Sequence, residues 1–282
     1  MSDRLAITKT YKLFIGGKFP RTESGRSTAV HDAQQNLAAH VCHGSRKDLR
    51  ASVEAAHAAG KKWAGATAYL RGQVLYRLAE MVESRKGEFA EAMGPGAEPE
   101  IDAAIDRVVH FAGWTDKFSQ ILGGANPVAG PYHNFTVPFP MGVVGVICPD
   151  EAPLLALLSL AAPALAAGNT VTVLASEKSP IPAMILAEAI ATSDVPGGVV
   201  NILTGFREEL VPHFASHREI IAIHAAGVSD PQRTTLREGA AENMKRVVVR
   251  EIADWHDNDA CQGPWWIEPF TEAKTIWHPS AT

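Results

Sequence analysis

A chain of 282 residues is long enough to bury a sizeable core, in one large domain or two modest ones. With 46% hydrophobic and 20% charged residues it does not read as disordered, and 26 basic against 31 acidic residues, a formal charge of −5, exclude the basic footprint of a nucleic-acid binder. Cys42, Cys148 and Cys261 are too scattered for a disulfide framework or a CxxC zinc site, and no HExxH spacing points to a metal, so a reducing cytoplasm fits best.

The opening residues lack the apolar core and small-residue cleavage site of a signal peptide. Tyr11 to Phe19 alternates and then turns at Gly16-Gly17, which predicts a hairpin, and a second extended piece covers Ala38 to His43. Helical spacing begins at Asp48, a candidate N-cap, with Leu49, Val53, Ala56 and Trp63 near one face. Two further helices are predicted over Gln73 to Glu91 and Glu100 to Leu122. The proline- and glycine-rich stretch from Gly123 to Pro140 reads as a long connection or a hairpin.

From there the rhythm changes. Val143 to Ile147, Thr170 to Leu174, Val199 to Leu203, Ile220 to Ile223 and Arg246 to Arg250 are strand-like, and each is separated from the next by a helix-length segment. The stretch Leu154 to Ala167 is almost wholly apolar, but Pro153, Pro163 and Gly168-Asn169 divide it well short of the roughly 20 residues of a membrane span. Five β-branched runs with crossover helices predict a doubly wound, mainly parallel, Rossmann-like α/β sheet. After Glu251 comes a polar, turn-like stretch, then a last strand over Phe270 to Trp277.

Several segments together resemble the cofactor-binding domain of the aldehyde dehydrogenase superfamily. They are Met141 to Pro149, Pro153-Leu-Leu, Ala161 to Val171, Glu177 with Ser179-Pro180, and Pro196 to Gly205. Upstream, Leu13 to Lys18 resembles the family's first hairpin and Arg71 to Glu80 its early helix. Residues 268–277 resemble its C-terminal oligomerisation strand. The resemblance implies a cofactor-binding domain over 1–251, with a helical layer at about 48–122 and an α/β core at about 141–251, and an oligomerisation strand over 268–282. Between these the family inserts a catalytic domain with a nucleophilic cysteine; here only the linker 252–267 stands in its place.

By the same resemblance, the positions that carry chemistry are altered. Glu151 stands where the family has an oxyanion-binding asparagine, and a carboxylate accepts rather than donates hydrogen bonds. Arg250 stands at the general base, and Glu251, one residue late on a strand, faces the opposite side. Leu174 replaces a lysine that holds the adenosine ribose, while Glu177 keeps the second ribose-binding position; its alternative reading is a loop carboxylate or helix-start charge. The pyrophosphate turn corresponds to His224 to Asp230, where Gly227 and Ser229 still suit a turn and N-cap. Cys261 reads as an ordinary surface thiol, Cys148 and Cys42 as small buried fillers, and His224 as a strand-end histidine. Trp265, Trp266 and Trp277 read as interface aromatics, or alternatively as a cover for the chain's own hydrophobic face.

The expectation is therefore a non-catalytic family member, a pseudoenzyme. It would act as a structural or regulatory subunit of a complete aldehyde dehydrogenase, or pair with itself, with NAD(P) bound weakly or not at all. The resemblance extends to the degenerate second module of two-module members. The alternative is a dinucleotide-binding, oxidoreductase-like protein that retains NAD(P).

Overall fold

The computed structural model describes residues 7–32 and 34–280. In chain order the elements are β1 (Lys9–Tyr11), β2 (Ser27–His31), β3 (Leu37–Cys42), α1 (Arg46–Ala64), α2 (Ala68–Glu83), α3 (Lys86–Met93), α4 (Glu98–Trp114), α5 (Phe118–Leu122), β4 (Gly124–Asn126) and β5 (Tyr132–Pro140). Then follow β6 (Val143–Ile147), α6 (Pro153–Ala166), β7 (Thr170–Leu174), α7 (Ile181–Ala191), β8 (Val200–Leu203), α8 (Arg207–Ser216), β9 (Ile220–Ala226), α9 (Asp230–Asn243), β10 (Arg246–Arg250), α10 (Asn258–Cys261), two 3-10 turns (Pro264–Trp266 and Glu268–Phe270) and β11 (Thr271–Pro279).

The five predicted core strands form one parallel sheet in the order β10-β9-β6-β7-β8. Both faces are covered, so alternate side chains of one strand enter two cores: Val144 and Val146 join one, Val143 and Ile147 the other. On the first face lie α6 and α7, with α2 and α4 behind them. On the second lie Leu49, Val53 and Ala56 of α1, Leu210 and Phe214 of α8, and Leu236 of α9. The predicted N-terminal helical layer thus divides, with α1 crossing to the sheet face opposite α2 and α4. Thirteen of the residues of α6, Leu154 to Ala166, are buried, which is why that helix carries no polar stripe.

Local chemistry shifts several predicted boundaries. Ser45, not Asp48, is the N-cap of α1: its hydroxyl accepts from Asp48 N while Asp48 Oδ2 accepts from Ser45 N at 2.8 Å, a reciprocal capping box. The helix predicted over 73–91 is two helices, α2 and α3, broken where Ser84 Oγ donates to Met81 O at 2.8 Å. The helix predicted over 100–122 divides into α4 and α5, where Thr115 Oγ1 donates to Ala112 O at 2.8 Å.

Gly16 and Gly17, at φ 62° and 78°, make the predicted tight turn, with Ile15 and Lys18 exchanging backbone hydrogen bonds of 2.9 and 3.0 Å. A Cβ on Gly17 would lie 2.9 Å from Gly197 Cα, so the turn rests directly on the chain before β8. Phe14 pairs there with Ile202 of β8, and β1 and β2 instead flank β3 in a separate small sheet. The stretch 123–140 contains the β4–β5 hairpin, and β11 pairs antiparallel with β5 from Thr271↔Pro140 to Pro279↔Tyr132. Among the described residues no helix is long and apolar enough to cross a membrane.

Candidate functional site

In a doubly wound sheet the ligand crevice lies beyond the carboxyl ends of the strands, where the strand order reverses. Here that point lies between β6 and β9, bordered by the loop Cys148–Ala152 and by Gly227–Ser229. The two loops touch: Gly227, at φ 63°, lies so close that an added Cβ would be 2.6 Å from Pro149 Cβ. Across the crevice runs the side chain of Arg207, the first residue of α8. Its Nη2 is 2.7 Å from Asp150 Oδ1 and its Nη1 donates to Gly227 O at 3.4 Å.

Asp150 Oδ1 also accepts from Ser176 Oγ at 2.8 Å, Glu177 N at 3.0 Å and Lys178 N at 3.2 Å. Burial opposes ionisation of this carboxyl, but these donors and the Arg207 guanidinium outweigh it and hold it below the usual range. Glu177 Oε1 accepts from Arg207 N, so the carboxylate caps α8 from across the crevice. This is the helix-start role, reached by a long-range contact. Leu174 is fully buried in the second core.

The helix N-termini around the crevice are similarly engaged. Glu100 Oε1, reaching over from α4, accepts from Leu154 N at 2.9 Å and Leu155 N at 3.3 Å at the start of α6. Ser229 is the N-cap of α9, as predicted, in a capping box with Gln232. An acidic residue, Asp230, opens that helix.

Beside the crevice, Arg250 Nε donates to His224 Nε2 at 3.0 Å, and the guanidinium carbon lies 4.2 Å from the Trp266 ring centroid. His224 is fully buried, with Nδ1 2.8 Å from Leu160 O and its ring against Trp266 and Phe270. Burial, then Arg250, push its pKa down to about 3. Glu251 points away and pairs with Arg233 of α9 at 2.6 Å.

Residues 252–267 are polar and exposed along much of their length, but Trp255, Cys261, Trp266 and Ile267 are buried and fasten the segment to the body of the chain. Arg107 of α4, 1% exposed, donates from Nη1 to Ser159 Oγ at 2.5 Å and Cys261 O at 3.0 Å, and from Nη2 to Trp255 O at 3.0 Å and Asn258 Oδ1 at 3.2 Å. Cys261 is therefore buried, contrary to its reading as a surface thiol, and burial pushes its thiol up against a smaller downward pull from Arg107. Cys148 and Cys42 are buried as expected, and burial likewise raises the Cys148 thiol. Trp266 is 4% exposed and belongs to the chain's own core, whereas Trp265 and Trp277 are 62% and 59% exposed. Of the aromatics read as an interface, one is therefore internal.

A model of the aldehyde dehydrogenase family matches residues 19–251. The chain belongs to the aldehyde dehydrogenase family. It is 34% identical over 253 residues to retinaldehyde dehydrogenase 3 of Mus musculus, covering 86% of this chain and 49% of that protein. Against mitochondrial benzaldehyde dehydrogenase of Antirrhinum majus the identity is 31% over 249 residues, 84% of this chain and 46% of that one. The NAD+ complex structure of aldehyde dehydrogenase from Bacillus cereus superposes with a TM-score of 0.80 at 29% identity, over 85% of this chain and 50% of that one. The chain thus spans about half the length of these relatives.

The residues present in this aldehyde dehydrogenase family chain do not fit a nicotinamide dinucleotide. Of the two ribose positions, Glu177 turns Oε1 to Arg207 N, and Leu174, fully buried, offers no polar group in place of the lysine. A pyrophosphate needs free N–H groups and a cation, yet Leu154 N and Leu155 N of α6 turn to Glu100, Arg207 N of α8 turns to Glu177, Gln232 N of α9 turns to Ser229, and Asp150 stands against the Arg207 guanidinium in the same opening. Asp150 and Arg207 are the site residues that the sequence reading missed. A visible signal was the arginine itself, a cation at the positive end of a helix, where the dipole favours acids.

Proposed function

We propose that this chain is a non-catalytic aldehyde dehydrogenase family member that serves as a structural or regulatory subunit of a complete aldehyde dehydrogenase. The observation that supports the reading is Arg250. By resemblance it occupies the general-base position, but it is a permanent cation, bonded to a buried neutral histidine and covered by Trp266. The basic nitrogen beside it, His224 Nε2, is buried and taken up by Arg250 itself, and Cys261 is buried beneath Arg107 with no open face for an aldehyde.

The surface offered to a partner is the sheet β11-β5-β4. It carries Trp277, Tyr132 and Phe139, 59%, 45% and 41% exposed, and among the described residues β11 has one strand neighbour, β5. An outer strand with free backbone groups and large apolar side chains is suited to a second chain. A cytoplasmic location belongs to the same reading. The test is co-expression with a complete aldehyde dehydrogenase of the same organism, followed by light scattering. A stable mixed complex supports the reading; masses equal to the separate proteins, at about 10 µM and above, overturn it. The chain alone is expected to oxidise no aldehyde.

A further inference from the structure

We propose that the dinucleotide crevice of this chain is occupied by its own Arg207–Asp150 pair, and that this pair excludes nicotinamide dinucleotides from it. The argument is geometric first. The guanidinium of Arg207 spans from the loop after β6, at Asp150, to the loop after β9, at Gly227, which are the two walls of the opening. Arg207 is 8% exposed, so it lies within the crevice rather than over it. Its backbone N–H is fixed by Glu177, which anchors the base of the side chain from the third loop, the one after β7. Two open spaces adjoin the pair: a cleft of about 410 Å³ between α8 and α9, lined by Arg207, Glu208 and Ser229, and one of about 280 Å³ lined by Ser176, Glu177, Lys178 and Phe206.

Charge carries the second part. A nicotinamide dinucleotide brings a dianionic pyrophosphate, which binds where backbone N–H groups and cations converge. Here Arg207 is the cation, and Asp150 neutralises it at 2.7 Å. Glu177, Glu100 and Asp230 supply internal carboxylates at the helix starts that an external anion would otherwise approach. The chain therefore places its own anions where a ligand's anion would go. For the dinucleotide to enter, it must displace Asp150 from Arg207 and push the arginine out from between the two loops.

The test compares the wild type with D150N/R207A by isothermal titration and thermal unfolding in the presence of NAD+, NADH and NADP+. Asparagine at position 150 keeps an acceptor for Ser176 Oγ and the Glu177 and Lys178 N–H groups, so the loop retains its support while both charges leave. The wild type is expected to show no saturable binding up to about 5 mM and no rise in unfolding temperature, and the variant to gain at least about tenfold in affinity for NADH. Saturable binding to the wild type within that range overturns the proposal, as does a folded variant as inert as the wild type. Should the double variant not fold, the single Arg207→Gln serves the same comparison. Neither measurement involves a partner subunit, so failure here leaves the subunit reading untouched.

Discussion

Arg250 Nε donates to His224 Nε2 at 3.0 Å, and that one bond sets the tautomer of a fully buried imidazole. With Nε2 accepting, the proton sits on Nδ1, which donates to Leu160 O at 2.8 Å. Strand β10 thereby fastens β9 to helix α6 through a neutral ring beneath Trp266 and Phe270.

Protonating that ring breaks the arrangement. The imidazole titrates near 6.5 when unfolded and at about 3 in place. Between those values the unfolded chain binds the extra proton, so the stability is fully present above pH 6.5 and is lost as pH falls toward 3, by roughly 5 kcal/mol over the whole window. Urea unfolding of the wild type and His224→Gln at about pH 7, 5.5 and 4 measures it. The variant is expected to lose less stability on acidification; parallel slopes would refute this account.

Arg107→Met removes one guanidinium from four acceptors, Ser159 Oγ, Cys261 O, Trp255 O and Asn258 Oδ1. Each buried acceptor left unpaired costs about 1–3 kcal/mol, and a loss of about 3–5 kcal/mol is expected. Because Trp255 and Trp266 sit over this network, their fluorescence should shift in the folded state as well. An unchanged urea midpoint would show that residues 252–267 hold their place without it.

Two glycines with the same backbone hand separate strain from crowding. Gly25, at φ 69°, has open space where a Cβ would stand, so Gly25→Ala should lower stability by about 1 kcal/mol. Gly227, at φ 63°, would put its Cβ 2.6 Å from Pro149 Cβ and 2.8 Å from Pro149 Cα, and Gly227→Ala should lose about 3 kcal/mol. Thermal unfolding of the two variants gives the difference; equal losses would mean that the loops after β6 and β9 part easily.

All three thiols are buried, and burial raises those of Cys148 and Cys261. Since the thiolate is the reactive form, labelling of the native protein by a disulfide reagent near pH 8 should be at least about 100-fold slower than in denaturant, where all three cysteines react. Rapid labelling of Cys261 in the folded chain would restore it as a candidate nucleophile.

The parallel sheet was legible because its strands are short β-branched runs, cut off by glycine or proline at β6 and by charged residues at β10: β6, β7 and β10 fall on the predicted residues. The helix breaks at Ser84 and Thr115 were not, since neither is a proline or glycine and the apolar spacing continues past both. Cys261 stands among polar neighbours that suggest exposure; its burial is imposed by Arg107, distant along the chain. The pairing of Arg207 with Asp150 depends on the register that aligns the ends of β6 and β8 on either side of β7, which no local pattern encodes.

The turn at Gly16-Gly17 also gives the parallel sheet a direction. Phe14 exchanges two backbone hydrogen bonds with Ile202, and the turn rests on Gly197, so the flank of β8 is closed to further strands. At the opposite flank β10 has β9 on one side and no strand on the other among the described residues. A sheet shut at one margin can grow only from the other. Any strand donated to it by another chain would have a single seat, alongside Arg246–Arg250.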